Sequence, residues 1–373
     1  MADRDGKGAP STDGKALRVL IVGKSEIVGQ RVHRVLDPEP GFEVIGHVPD
    51  GISAVSILRS QSVDAVILDI GDNAINVKVT LARMFRIDPA LKVITSASLT
   101  FENVKKSMDA MLNGAAEFLN VPAQHTKVTS NSVYGRKLID SIRAFGHSNR
   151  APGEALSPSG RPKSSKTSGP ETFTLRQAPV LRPKIVAIGS STGGPQALFN
   201  FLRDLPPGFS LPILITQHMP PTFTAILAEH ITKNSSLRCA EADDGEQVVG
   251  GRIYLAPGDF HMLVEKKNGV PTIALNQDPP VNYCRPAVDP MFDSIAKVYG
   301  GNVIAAILTG MGSDGLNGSK TIVAAGGTVL AQDEDSSVVW GMPRAVALAG
   351  ICSAVLPVPE LSRRMMDMID KAG

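Results

Sequence analysis

At 373 residues, with 43% apolar and 20% charged content, the chain exceeds what one core ordinarily organises and implies two soluble globular domains. A net charge of +2 excludes a nucleic-acid role argued from bulk charge, and no apolar run reaches membrane-span length, so neither nucleic-acid binding nor membrane insertion is expected. The three cysteines, Cys239, Cys284 and Cys352, lack CxxC spacing, which argues against a zinc site or a disulfide framework and fits a reducing cytoplasm.

Residues 1–16 are polar, contain no apolar leader segment and are expected to form a disordered tail. From Leu17 the apolar runs LRVLIV, FEVIGHV, DAVILDI, LKVITSA and AEFLN read as strands, and helices are expected over 25–36, 51–59, 77–85, 102–112 and 136–145. Strands alternating with helices in this way predict a doubly wound parallel sheet over 17–146, with function gathered at the C-terminal strand ends. Residues 147–182 are rich in Ser, Pro, Gly and isolated basic residues and show no apolar periodicity, so they are expected to be a flexible linker.

A second alternating pattern fills 183–373. The strand KIVAIG precedes a helix over 196–205, PILITQ precedes a helix over 223–233, and GRIYLAP is a further strand. HMLVEKK and PTIALN flank Asn268-Gly269 and read as a hairpin inserted into the pattern. A helix over 287–298, the strand NVIAAILTG, a helix over 314–325, the strand GTVLAQ, short elements and a helix over 360–372 complete the domain. The fold class is therefore α/β, two doubly wound parallel-sheet domains, the second Rossmann-like and carrying a β-hairpin. Its strand ends fall at Gly189, Gln217 and Thr309.

The first of those ends, Gly189-Ser190-Ser191-Thr192-Gly193, satisfies G-x-S-x-G, in which a serine sits on a sharp strand-to-helix turn. A glycine-rich turn cradling a phosphate at a helix N-terminus is the alternative, although no Walker lysine follows. A serine nucleophile needs a base and an orienter. His218 directly follows PILITQ and should project at the same sheet edge as Ser191; His261, opening a hairpin strand, is the weaker candidate. Asp314 follows NVIAAILTGMGS at the expected start of a helix, where it can orient a histidine or simply cap the helix. Backbone amides around Gly310 to Gly312 offer an oxyanion hole. The order Ser191, His218, Asp314 differs from that of α/β-hydrolases, in which the acid precedes the histidine.

The order of elements in the first domain and its LDI strand end resemble receiver domains of two-component response regulators, which implies a flavodoxin-like sheet. By that resemblance Asp69 matches the phospho-acceptor, Ser96 with Ala97 the Ser/Thr position, and Pro122 the proline that follows the signalling lysine. Gly23 and Lys24 stand where the magnesium-binding acidic pair should be, and Val121 replaces the lysine. Magnesium is usually held through one or two carboxylates, so Asp69 is expected not to be phosphorylated. Lys24 either pairs with Asp69 in place of the metal or is solvated at the strand end.

IGSSTGGP, QHMPPTF, LAPGDFHM, PVNYCRPAVDPMFDSIA, LTGMGSDG and AQDEDSSVVWGMPRAV together resemble the chemotaxis protein-glutamate methylesterases, the CheB family. The resemblance implies hydrolysis of methyl esters on chemoreceptor glutamates and deamidation of receptor glutamines, with no metal or organic cofactor. It implies Ser191 as nucleophile, His218 as general base and acid, Asp314 as orienter, Met311 as a backbone oxyanion donor and Thr192 as a site-shaping neighbour. Arg285 and Pro286 match a family motif without an evident chemical role. Receptors would be the substrate, a chemotaxis histidine kinase a partner, the cytoplasm the location, and the receiver a cover over the catalytic face. The alternatives are a non-enzymatic signalling adaptor and a phosphate- or nucleotide-binding Rossmann-like protein.

Overall fold

Apolar runs of five or six residues without polar alternation must be buried on both faces, and the central strands follow that rule. The computed structural model describes residues 16–71, 75–123, 125–146, 173–179 and 181–371. Nearly all of the expected N-terminal tail and most of the expected linker lie outside the described residues, as does Ala372, where the last helix is expected to end.

The first domain runs β1 (Leu17–Val22), α1 (Glu26–Leu36), β2 (Phe42–Val48), α2 (Gly51–Ser60), β3 (Ala65–Asp69), α3 (Val77–Ile87), β4 (Lys92–Ala97), α4 (Phe101–Leu112), β5 (Glu117–Asn120) and α5 (Val133–Gly146). Its parallel sheet has the order β2-β1-β3-β4-β5, the doubly wound arrangement expected. Four of its helices begin on their own side-chain caps: Ser25, Asp50, Asn76 and Thr100 each accept a backbone N–H from the helix they open.

The second domain runs β6 (Ile185–Ser190), α6 (Gly194–Leu202), β7 (Ile213–Gln217), α7 (Phe223–Asn234), β8 (Arg238–Glu241), β9 (Arg252–Leu255), β10 (His261–Lys267) and β11 (Val270–Asn276). It continues with α8 (Val288–Tyr299), β12 (Val303–Ile307), α9 (Leu316–Ala324), β13 (Thr328–Gln332), α10 (Met342–Leu348), β14 (Ala354–Leu356) and α11 (Val358–Lys371). Seven parallel strands take the order β14-β13-β12-β6-β7-β9-β8, and β10 and β11 form the separate antiparallel hairpin.

Strand β8 was not legible in the sequence, because this edge strand buries only one of its four residues and so carries no apolar run. Helix α5 begins three residues earlier than its periodicity suggests, and α6 stops at Leu202 rather than running to 205, ahead of the Pro206-Pro207 pair. The flexible linker expected over 147–182 is corrected at its C-terminal end. Arg176 donates its amide to Cys352 O (2.9 Å) and its guanidinium to Gly327 O (2.8 Å), and Asn302 Nδ2 donates to Arg182 O (2.7 Å). Those residues pack as an edge of the second domain.

The two domains share apolar packing. Helix α4 lies against α6 and α7, and the Phe118 and Phe223 ring centroids are 4.9 Å apart. Val104, Met108 and Met111 thereby join one buried cluster with Leu198 and Leu227.

Candidate active site

After β6 the chain crosses to β7 on one side, while β12 flanks β6 on the other, so the topology reverses between β6 and β12. Loops leaving the C-terminal ends of strands diverge at such a point and leave a crevice. Ser190 pairs with Gln217 and Gly189 with Ile307 in the parallel registers. Ser191, His218 and the loop carrying Asp314 therefore leave the sheet at one edge.

The Ser191 turn is fixed by its neighbours on both strands. Ser191 N donates to Thr309 O (3.0 Å), and Gln217 Nε2 donates to Ser191 O (2.9 Å) while its Oε1 accepts from Ser190 Oγ (2.7 Å). Gly310 passes so close that an added Cβ would lie 2.8 Å from Ser191 Cβ, which explains a glycine at that strand end. Gly193 opens α6 with φ of 78°, a left-handed conformation that suits glycine.

His218 Nε2 and Asp314 Oδ2 are 2.8 Å apart; the Asp314 side chain is buried, and that of His218 is 9% exposed. Asp314 does not begin its own helix as expected, because Gly315 occupies the N-cap of α9. The carboxylate instead caps α8, accepting the amides of Val288 (2.6 Å) and Asp289 (3.2 Å), and it also takes Gly315 N (3.0 Å) and Asn282 Nδ2 (3.0 Å). Asp289 of α8 returns the arrangement by accepting Gly318 N of α9 at 2.8 Å, and Asn282 Nδ2 also reaches Asp289 Oδ2 at 3.2 Å. The Asp314 carboxylate is thus held by the ends of two packed helices.

Burial alone would raise the Asp314 pKa, but the hydrogen bond and charge of His218, with the Val288 amide and Asn282, hold it below the ordinary carboxylate value. Burial opposes a charge on His218, and its hydrogen bonds to Asp314 and Cys284 and the charges of both outweigh that, pushing its pKa up to about 9. His218 Nδ1 lies 3.4 Å from Cys284 Sγ, and no hydrogen bond joins Ser191 Oγ to either ring nitrogen. His218 and Asp314 are therefore engaged with each other, while Ser191 and His218 are not.

The first domain lies over this edge. Ser191, Thr192, Gln217 and His218 line a cavity of about 190 Å³ together with Glu117, Phe118 and Lys137. Ala116 O accepts the Gly193 amide at the start of α6 (3.0 Å), and Thr192 Oγ1 lies 3.5 Å from Glu117 Oε2. Glu117 is braced from its own domain by Lys137 Nζ (3.1 Å) and by Ser141 Oγ (2.7 Å). Gly310 N is committed to Val339 O (3.0 Å), which removes it from the expected oxyanion set, whereas the Met311 amide makes no hydrogen bond with described residues.

Other candidates fall elsewhere. His261 is buried and structural: its Nδ1 accepts Ala287 N (3.2 Å) and its Nε2 faces Pro279 O (3.3 Å). Arg285 clamps Asp259 with two nitrogens (2.6 and 3.0 Å) and the carbonyls of Gln277 and Asp278, bracing the loop that carries Asn282 and Cys284. Gln217, Asn282, Cys284 and Asp289 were missed as site residues by sequence reasoning, although the polar positions of NYCRPAVD were the available signal.

Asp69 belongs to a different and larger cavity, about 710 Å³, lined among others by Lys24, Arg31 and Val121. It is buried and accepts Gly71 N at 2.9 Å, while Lys24 is exposed. An added Cβ on Gly23 would lie 2.5 Å from Asp69 Cβ, so the acidic side chain expected at that position in a receiver has no room. Arg31 donates to the carbonyls of Pro122 and Ala123, pinning the loop in which Val121 replaces the lysine. Among the described residues, no group of three His, Cys, Asp or Glu could hold a metal ion, and no helix is long and apolar enough to cross a membrane.

Residues 186–365 match the family model described as CheB methylesterase. A protein-glutamate methylesterase/protein-glutamine glutaminase 1 of Paramagnetospirillum magneticum is 46% identical, across 96% of this chain and 97% of its own. A protein-glutamate methylesterase/protein-glutamine glutaminase of Azospirillum brasilense is 44% identical, across 96% of this chain and 94% of its own. The catalytic domain of Thermotoga maritima CheB methylesterase, a crystal structure, is 43% identical and covers 50% of this chain and 100% of its own at a TM-score of 0.49.

Proposed function

Because the chain belongs to the CheB methylesterase family, we propose that Ser191, His218 and Asp314 form the acyl-transfer centre of its protein-glutamate methylesterase and protein-glutamine deamidase activity. The observation that carries this assignment is the 2.8 Å contact between His218 and Asp314 at the sheet edge where Ser191 begins its turn. With Nε2 held by Asp314, Nδ1 is the nitrogen left to take the Ser191 proton, and it must exchange Cys284 for Ser191 to do so. Ser191 Oγ then attacks the side-chain carbonyl, His218 passes the proton to departing methanol, and water resolves the glutamyl ester. An amide substrate releases ammonia by the same steps. The Met311 amide is the oxyanion donor and Thr192 shapes the turn.

The substrates are glutamate methyl esters and glutamines of chemotaxis receptors, a chemotaxis histidine kinase is a signalling partner, and the protein acts in the cytoplasm. The receiver-like domain over 17–146 works as a lid on the catalytic domain rather than as a phosphorylation switch, since Asp69 lacks the acidic pair that would hold magnesium. Methanol release from methylated receptor tests the centre: Ser191→Ala should lower kcat by about 10⁴-fold or more. Release equal to wild type would overturn the assignment. Incubation with magnesium and acetyl phosphate should leave Asp69 without a phosphoryl group, and its appearance by mass spectrometry would refute the lid-only role.

A further inference from the structure

The loop between β11 and α8 ends in a tight turn whose tip is the most exposed aromatic residue described. Val281 and Cys284 exchange backbone hydrogen bonds in both directions (3.1 and 2.9 Å), closing a two-residue turn over Asn282 and Tyr283. Both central residues have positive φ, 51° and 62°, the pattern of a type I′ turn. Glycine is strongly favoured at the second of these positions, and a bulky residue there is an outlier. Tyr283 nevertheless occupies it and is 102% exposed, so no packing within the chain explains the choice.

Its neighbours explain the location. Asn282 Nδ2 holds Asp314 at 3.0 Å, and Cys284 Sγ faces His218 Nδ1 at 3.4 Å. Arg285, next along, is fixed by Asp259 at 2.6 Å. The turn is anchored on both sides of its tip, so the Tyr283 backbone sits between the two residues whose side chains reach Asp314 and His218, with little freedom of its own, while its ring projects to solvent. A rigid, exposed aromatic residue on a braced loop offers contact area at low entropic cost, as recognition surfaces do.

We infer that Tyr283 is a specificity-determining residue: its ring docks against the receptor surface that displays the glutamyl ester, on side chains flanking the reacting one. This rests on the esterase function proposed above. Kinetics of the full-length protein on methylated receptor in membranes separate the two. Tyr283→Gly should lower kcat/KM about tenfold, as loss of an interface hot spot does, through KM and with kcat within about twofold. Its melting temperature should not fall, because glycine suits the turn. Tyr283→Phe should restore kcat/KM to within about twofold of wild type, since the contact is made by the ring. If Tyr283→Gly matched wild type, or lost as much in kcat as in kcat/KM, the docking role would be overturned. Absence of methanol release by wild type would instead overturn the esterase function beneath it.

Discussion

Helices in the two domains begin differently. In the first, Ser25, Asp50, Asn76 and Thr100 cap the helices they open. In the second, the N-caps of α6, α7, α8 and α9 are Gly193, Thr222, Ala287 and Gly315, and none makes a side-chain cap. Unfilled helix amides need acceptors, and here some come from across the fold: Asp314 serves α8, Asp289 serves α9, and Ala116 O of the other domain serves α6. The edge proposed as catalytic is thus assembled from donors that local sequence leaves open. At the receiver-like edge the first four helices are closed locally, and Asp69 has Gly23 and Lys24 rather than an acidic pair beside it.

Replacing the cap that joins helices and histidine should have the largest effect after loss of the nucleophile. Asp314→Asn should lower kcat for methanol release by roughly 10³- to 10⁴-fold, because the amide no longer enforces the tautomer of His218. A loss below tenfold would mean that the cross-fold cap is only structural.

Removing the domain that supplies Ala116 O comes next. A fragment starting at residue 173, which keeps the Arg176 contacts, should gain about 10- to 100-fold in kcat/KM over full length if the covered arrangement is about 90–99% populated. Equal activity would show the first domain to be a scaffold rather than a lid.

A smaller effect separates the two partners of His218. A protonated imidazole cannot accept the Ser191 proton, so kcat/KM of the full-length protein should rise with pH through about 9. Cys284→Ala removes one cause of the raised pKa and should move that midpoint to lower pH; an unchanged midpoint would show the thiol contact to be inert. The folded-state pKa lies above the ordinary histidine value, so the associated stability is complete below about pH 6.5 and is lost as pH rises through about 9, which thermal melts across that window will show.

The least effect on catalysis is expected at the other edge. Gly23→Asp would restore one missing carboxylate but must push against Asp69, costing about 1–3 kcal/mol in denaturant unfolding while leaving methanol release within about twofold. Undiminished stability would mean that the pocket can still accommodate a carboxylate at position 23.

The strands that run buried from end to end, the chain order of Ser191, His218 and Asp314, and the absence of the acidic pair at Gly23 and Lys24 were all legible in the sequence. Each rests on side chains a few residues apart, where periodicity and motif are read directly. The sequence could also place all three catalytic candidates at strand ends, because a doubly wound sheet brings such ends together. It could not show that Asp314 caps α8 rather than its own helix, or that Cys284 takes the second nitrogen of His218. Nor could it show that Ala116 closes the start of α6. Those contacts join residues 26, 66 and 77 positions apart, and their partners are chosen by how helices pack and domains dock, for which no local pattern exists.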